Sequence, residues 1–178
     1  MNYKIVPYIE AEKIEKRLAE LGKELTNEYE GKNLKVVGIL KGSMPTLCTL
    51  TKNIVNDSME IDYMSVSSYG GSTDSSGVVQ IKKDLDKSIE NENVLLVEDI
   101  IDTGYTMKKL LELLKTRNPK SLKVCTLLDK PSRRKVKVDA DYVGFTIEDK
   151  FIVGYGLDYD QKHRQLPYIG YVEFLDEK

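Results

Sequence analysis

The stretch Val94-Leu95-Leu96-Val97-Glu98-Asp99-Ile100-Ile101-Asp102-Thr103-Gly104-Tyr105-Thr106 decides how the rest of the chain is read. Val94 to Val97 is an unbroken apolar run, the pattern of a central parallel strand covered on both faces, and it stops at two adjacent carboxylates. Beyond it Met107, Leu110, Leu111 and Leu114 recur at i, i+3, i+4 and i+7, one stripe of a helix that Asn118 and Pro119 end. The two acids and the turn from Asp102 to Thr106 are therefore expected between the strand and the helix.

That turn suits a phosphate. Gly104 permits positive φ and close approach of a ligand, while Thr103 and Thr106 add hydroxyl donors to the free amides of a helix N-terminus. Asp102 would repel a phosphate if it pointed inward, so it is expected to face elsewhere. Glu98 and Asp99 suit a neutral diol or a hydrated magnesium ion, which prefers hard oxygen ligands. Phosphate, diol and metal together suggest a ribose 5-phosphate. Two other settings contain similar residues. Asp102-Thr103-Gly104 is also the aspartic protease tripeptide, although that site lies among hairpins with no leucine helix behind it. An acidic pair after an apolar strand also occurs in response-regulator receivers. Neither accounts for the motifs that follow.

Glu98 to Thr106 resembles the 5-phosphoribosyl 1-diphosphate binding motif of type I phosphoribosyltransferases. From Lys41 to about Arg164 the chain resembles the hypoxanthine-guanine phosphoribosyltransferases through four motifs in order. The resemblance implies that Thr103, Gly104, Tyr105 and Thr106 grip the 5'-phosphate, that Glu98 and Asp99 lie at the ribose diol and Mg2+, and that Asp102 exchanges a proton with purine N7. It also implies a homodimer or homotetramer and a role in purine salvage.

Composition limits the other readings. The 178 residues are enough for one domain with a sizeable core, and no linker divides them. Lys and Arg number 27 against 29 acidic residues, so the net charge of -2 gives no support for a nucleic-acid partner. Cys48 and Cys125 lie in apolar contexts that read as small buried thiols, not as a disulfide framework. The sequence has no signal-like apolar run and no stretch of apolar residues long enough to span a membrane, so a cytoplasmic protein is expected.

Ile14, Leu18, Leu21 and Leu25 recur within a charged stretch and predict an amphipathic helix laid on the core. Leu34 to Leu40 predicts a second apolar strand, joined by Lys41-Gly42-Ser43 to a helix marked by Leu47, Leu50 and Ile54. Ser43 reads as its N-cap, and Pro45 is tolerable in the first turn. By resemblance Lys41 and Gly42 belong to a loop that holds pyrophosphate after a cis Leu40–Lys41 peptide. Ile61 to Ser65 and Val79 to Leu85 alternate like strands. Between them the Gly- and Ser-rich residues 67–77 read as a lid, and the resemblance implies that Ser68 and Tyr69 at its root belong to a mobile loop that closes over the reacting centre and excludes water.

Leu122 to Leu128 predicts a further strand and a βαβ unit, ending at Asp129-Lys130-Pro131. Lys130 is placed where open α/β sheets bind ligands, and by resemblance it donates to the 6-oxo group of a purine. Arg133 to Lys135 reads as a solvated basic turn. Tyr142 to Ile147 predicts a last core strand. After it, the resemblance implies that Phe151 stacks on the purine, that the backbone at Ile152 meets the base edge, and that Asp158 lies near the 2-position and a second Mg2+. Arg164 is implied at the pyrophosphate, and His163 reads as a surface residue. The expected fold is α/β: a mainly parallel twisted sheet with helices on both faces, to which the resemblance adds a small hood formed by the terminal segments.

Overall fold

The computed structural model of the protein describes residues 2–68 and 79–175. The elements are strands β1 (Tyr3–Ile9), β2 (Leu34–Leu40), β3 (Met59–Ser68), β4 (Val79–Lys83), β5 (Asn93–Ile101), β6 (Ser121–Asp129), β7 (Tyr142–Thr146), β8 (Ile152–Val153) and β9 (Ile169–Phe174), with helix α1 (Ala11–Glu28) after β1, α2 (Met44–Thr51) after β2 and α3 (Tyr105–Lys115) after β5. A six-stranded sheet runs β4-β3-β2-β5-β6-β7, and a three-stranded sheet runs β1-β9-β8. In the larger sheet only the β3–β4 pair is antiparallel, so β2, β5, β6 and β7 end on the same edge.

The core follows from period-two alternation on fully covered strands. Val36, Leu95, Val97, Cys125 and Leu127 turn to one face and pack with Ile14, Leu18, Leu21 and Leu25 of α1 and with Leu47 and Leu50 of α2. Val37, Ile39, Val94, Leu96 and Val124 turn to the other and meet Met107, Leu110 and Leu114 of α3. Each fully buried aliphatic side chain contributes about 1.5–3 kcal/mol, so the two layers fix β5 at the centre with little freedom to slip.

Several local expectations change. Strand β5 does not stop at Val97 but continues through Glu98 and Asp99 to Ile101, because β6 pairs with it as far as Ile101↔Asp129. The two acids are thus strand residues. Ser43 occupies the N-cap position of α2 as expected, but its side chain makes no capping bond: the hydroxyl, wholly buried, turns back and donates to the Ile39 carbonyl at 2.7 Å. Cys48 is exposed, since it sits on the outer side of α2, whereas Cys125 is buried in β6. In β3 the buried side chains are Asp62 and Met64, leaving Ile61 at 46% exposure. The proposed lid residues from Tyr69 to Gly77 lie outside the described residues, and of Ser68 only the backbone is described. No helix among the described residues is long and apolar enough to cross a membrane.

Candidate functional site

The ends of β2, β5 and β6 present three loops side by side: Lys41 to Ser43, Asp102 to Gly104, and Lys130 to Arg134. Gly42 lets the first loop close on β5, since a Cβ there would stand 1.5 Å from Asp99 Oδ2. The Leu40–Lys41 peptide is cis. Gly104 has φ +88°, a left-handed conformation that suits glycine, and turns the chain from β5 into α3.

Asp99 and Glu98 are close enough to influence each other. The Ile100 amide donates to Asp99 Oδ1 at 2.7 Å, and the Asp99 amide lies 3.2 Å from Glu98 Oε1. Burial, reinforced by the neighbouring Asp99 charge, pushes the Glu98 carboxyl well above its ordinary range. Burial also raises Asp99, opposed by hydrogen bonds from Glu98 and from the Ile100 amide and by the positive charge of Arg164. Two carboxylates held this way favour a cation or a hydroxyl donor beside them. The described residues form no cluster of three or more His, Cys, Asp or Glu able to hold a metal, and what this edge offers is the pair Glu98 and Asp99. That fits a hydrated magnesium ion arriving with a phosphorylated ligand, because this ion keeps several waters and takes one or two protein carboxylates.

Two cavities adjoin the loops. The smaller, about 110 Å³, is lined by Glu98, Ile101, Asp102, Thr103, Gly104 and Thr106. The larger, about 420 Å³, is lined by Ile100, Asp102, Lys130, Arg133, Phe151 and Ile152, among others. Asp102 borders both. Its Oδ1 is sealed from water without a hydrogen bond, although Arg133 Nε lies 3.4 Å away as an ion pair. Tyr105, the first residue of α3, is more exposed than its neighbours.

Lys130 is only 6% exposed, and its ammonium donates to the Lys150 carbonyl at 2.8 Å. Phe151 is half exposed, with Tyr159 edge-on at 5.3 Å. Ile152 is buried in β8, which pairs with β9 at Ile152↔Tyr171. Asp158 accepts from Arg164 at 2.7 Å and from the Gln161 amide at 2.8 Å.

The structure also brings in residues that the sequence reading passed over. Gln161 Oε1 accepts from both Lys41 Nζ and Arg164, each at 3.2 Å, so one neutral oxygen joins the two cations. Nothing in the sequence marks it: the contact depends on left-handed φ at Asp160, Gln161 and His163. His163 bonds with the Tyr3 hydroxyl at 2.8 Å and is not a free surface ring. The basic run is a solvated turn at Arg133 and Lys135, which are exposed, but not at Arg134. Arg133 pairs with Asp102 and Asp149, and Arg134 is largely buried against β6. Charge alone reads as solvent-facing.

A parallel sheet that gathers a glycine turn, paired carboxylates and a cationic, partly aromatic cavity on its carboxyl edge has the ligand site that open α/β proteins build beyond their strand ends. Residues 8–160 match the phosphoribosyl transferase domain family. The bifunctional protein TilS/HprT of Listeria monocytogenes is 52% identical over 162 residues, 91% of this chain but 25% of that protein. The hypoxanthine-guanine phosphoribosyltransferase of Bacillus subtilis is 52% identical over 162 residues, 91% of this chain and 89% of that one. The crystal structure of a hypoxanthine phosphoribosyltransferase from Staphylococcus aureus matches with a TM-score of 0.91 at 51% identity, covering 94% of this chain and 91% of that chain. The chain belongs to the phosphoribosyl transferase domain family, among the hypoxanthine-guanine phosphoribosyltransferases.

Proposed function

We propose that the protein transfers the 5-phosphoribosyl group of 5-phosphoribosyl 1-diphosphate to N9 of hypoxanthine or guanine, forming IMP or GMP in purine salvage. The observation that carries this reading is that one carboxylate, Asp102, borders both the small cavity of the glycine turn and the larger cavity containing Lys130 and Phe151. A sugar phosphate in the first and a base in the second would meet beside it. The new bond joins C1' to N9, and the bond from C1' to the pyrophosphate oxygen breaks.

Thr103, Gly104, Tyr105 and Thr106 receive the 5'-phosphate. Glu98 and Asp99 meet the ribose diol. Lys41, Gly42 and Arg164 hold the pyrophosphate, which displaces the Gln161 oxygen now lying between the two cations. Magnesium, when bound through Glu98 and Asp99 with a second ion near Asp158, neutralises the leaving group. Phe151 stacks on the purine, the Ile152 backbone lies at its edge, and Lys130 donates to the 6-oxo group. Asp102 accepts the proton that purine N7 loses as charge shifts across the ring. The sheet of β1, β9 and β8 acts as the hood. The family resemblance supports a homodimer or homotetramer acting in the cytoplasm.

The test is pyrophosphate release with magnesium and 5-phosphoribosyl 1-diphosphate, comparing hypoxanthine, guanine, xanthine and adenine. Release with the 6-oxopurines and little with adenine is expected. No release with any of the four bases would overturn the reading.

A further inference from the structure

Arg134 lies just beyond β6 with a side chain 16% exposed. One guanidinium nitrogen donates to the carbonyl oxygens of Ile101, at 3.0 Å, and Asp102, at 2.5 Å. The other is paired with the Asp129 carboxylate at the end of β6. The backbone N–H of the next residue, Lys135, donates to the Thr103 carbonyl at 2.9 Å, and that of Lys130 donates to Ile101 at 3.0 Å. The three successive carbonyls of Ile101, Asp102 and Thr103 are thus all fixed by the segment after β6.

In a trans peptide the carbonyl and the following N–H point in opposite directions. Fixing the carbonyls of residues 101, 102 and 103 toward Arg134 and Lys135 therefore fixes the N–H groups of Asp102, Thr103 and Gly104 away from them. The 110 Å³ cavity is lined by Thr103, Gly104 and Thr106 but by neither Arg134 nor Lys135, so it opens on the side to which those amides turn. Successive backbone N–H groups aimed into one concavity form an anion site. Gly104 adds a steric constraint, because a Cβ there would come within 3.0 Å of Arg134 Cδ.

We propose that Arg134 is a positioning residue for the sugar phosphate, acting through the loop carbonyls and not by touching the ligand. The inference rests on the functional reading above. A guanidinium suits the task because its planar fork reaches two carbonyls and a carboxylate at once, which the point donor of a lysine does not. Asp129 holds the fork and offsets its charge.

The test uses the full chain with Arg134→Lys and Arg134→Ala, with circular dichroism as the check of folding. Both variants should raise the KM for 5-phosphoribosyl 1-diphosphate about tenfold or more, while the KM for hypoxanthine and inhibition by inorganic pyrophosphate stay within about twofold. Millimolar methylguanidine should lower the raised KM of Arg134→Ala and leave the wild type unchanged. An Arg134→Lys protein with wild-type kinetics would overturn positioning in favour of simple charge. A rise of both KM values together, or none, would overturn the inference outright. If Arg134→Ala does not fold, Asp129→Asn gives the same reading: it should raise the phosphoribosyl donor KM alone, and an unchanged value counts against the proposal. A wild-type protein that does not turn over would indict the functional reading instead.

Discussion

Asp99 fills the space that a side chain on Gly42 would need, its Oδ2 standing 1.5 Å from the position of a Gly42 Cβ. The loop after β2 and the acidic end of β5 therefore close on each other only because residue 42 has no side chain. Gly156 extends the stack, since a Cβ there would lie 1.9 Å from the Gly42 carbonyl oxygen. Three segments distant in sequence are brought into contact at one point of the candidate site.

Gly42→Ala should displace the Asp99 carboxylate, because the carboxylate can rotate and the strand cannot. Overpacking of this kind costs about 1–3 kcal/mol of stability. The larger effect should fall on 5-phosphoribosyl 1-diphosphate, with a KM raised about tenfold, a loss of about 1.4 kcal/mol of binding. Urea unfolding of the two single variants and the Gly42→Ala/Asp99→Ala double variant checks the cause. Removing Asp99 should relieve the clash, giving a coupling of at least about 0.5 kcal/mol.

Lys130 sets the expected choice of base. Its ammonium has donors only, so it pairs with a 6-oxo group and not with a 6-amino group. A buried donor left unpaired costs about 1–3 kcal/mol, which predicts about 5- to 150-fold preference for hypoxanthine over adenine in kcat/KM. Lys130→Gln offers both a donor and an acceptor, so the preference should narrow, chiefly through slower use of hypoxanthine. Equal use of both bases by the wild type would remove Lys130 from this role.

The elements were legible in the sequence to the extent that apolar period decides them. Ile14, Leu18, Leu21 and Leu25 are all fully buried on α1, and Met107, Leu110 and Leu114 are buried on α3, because a repeating stripe has only one way to leave water. The extent of β5 was not legible. Glu98 and Asp99 look like the end of a strand, yet pairing to β6 carries the strand through them. The site was legible where a motif is continuous, as in Asp102 to Thr106, and illegible where it is assembled across the chain. Gln161 joins Lys41 and Arg164 through a backbone conformation that composition does not announce, and Arg134 reads as surface charge until Asp129 and two carbonyls are seen to surround it.

Asp102→Asn tests whether the carboxylate bordering both cavities takes part in proton transfer. The amide keeps the shape of the side chain but cannot accept a proton, so kcat should fall about 100-fold, within the usual range for acid–base groups. Both KM values should change little, because the cavities keep their walls. Single-turnover mixing shows whether the loss lies in chemistry. An undiminished rate of that step would leave Asp102 with a structural role.

The fold away from the site contains a pair whose dependence on pH can be worked out. Arg117 makes two contacts with Asp84, at 2.7 and 2.8 Å, joining the end of α3 to the segment after β4. The hydrogen bond from Arg117 holds the Asp84 carboxyl below its ordinary 3.8, opposed by partial burial and helped by the Leu85 amide. A carboxyl with a lowered folded-state pKa stabilises the fold above its unfolded value, and that stabilisation is lost as pH falls through the lower, folded-state value. The Asp84 side chain is 47% exposed, so water screens the pair and about 0.5–1 kcal/mol is the expected size. Arg117→Gln should therefore lower the urea midpoint at pH 7, and the gap from wild type should close as the pH is taken below 3.8. It should also narrow in 1 M salt, where charges are screened beyond about 3 Å. A gap unchanged by both acid and salt would mean that Arg117 contributes through the packing of its stem and not through its charge.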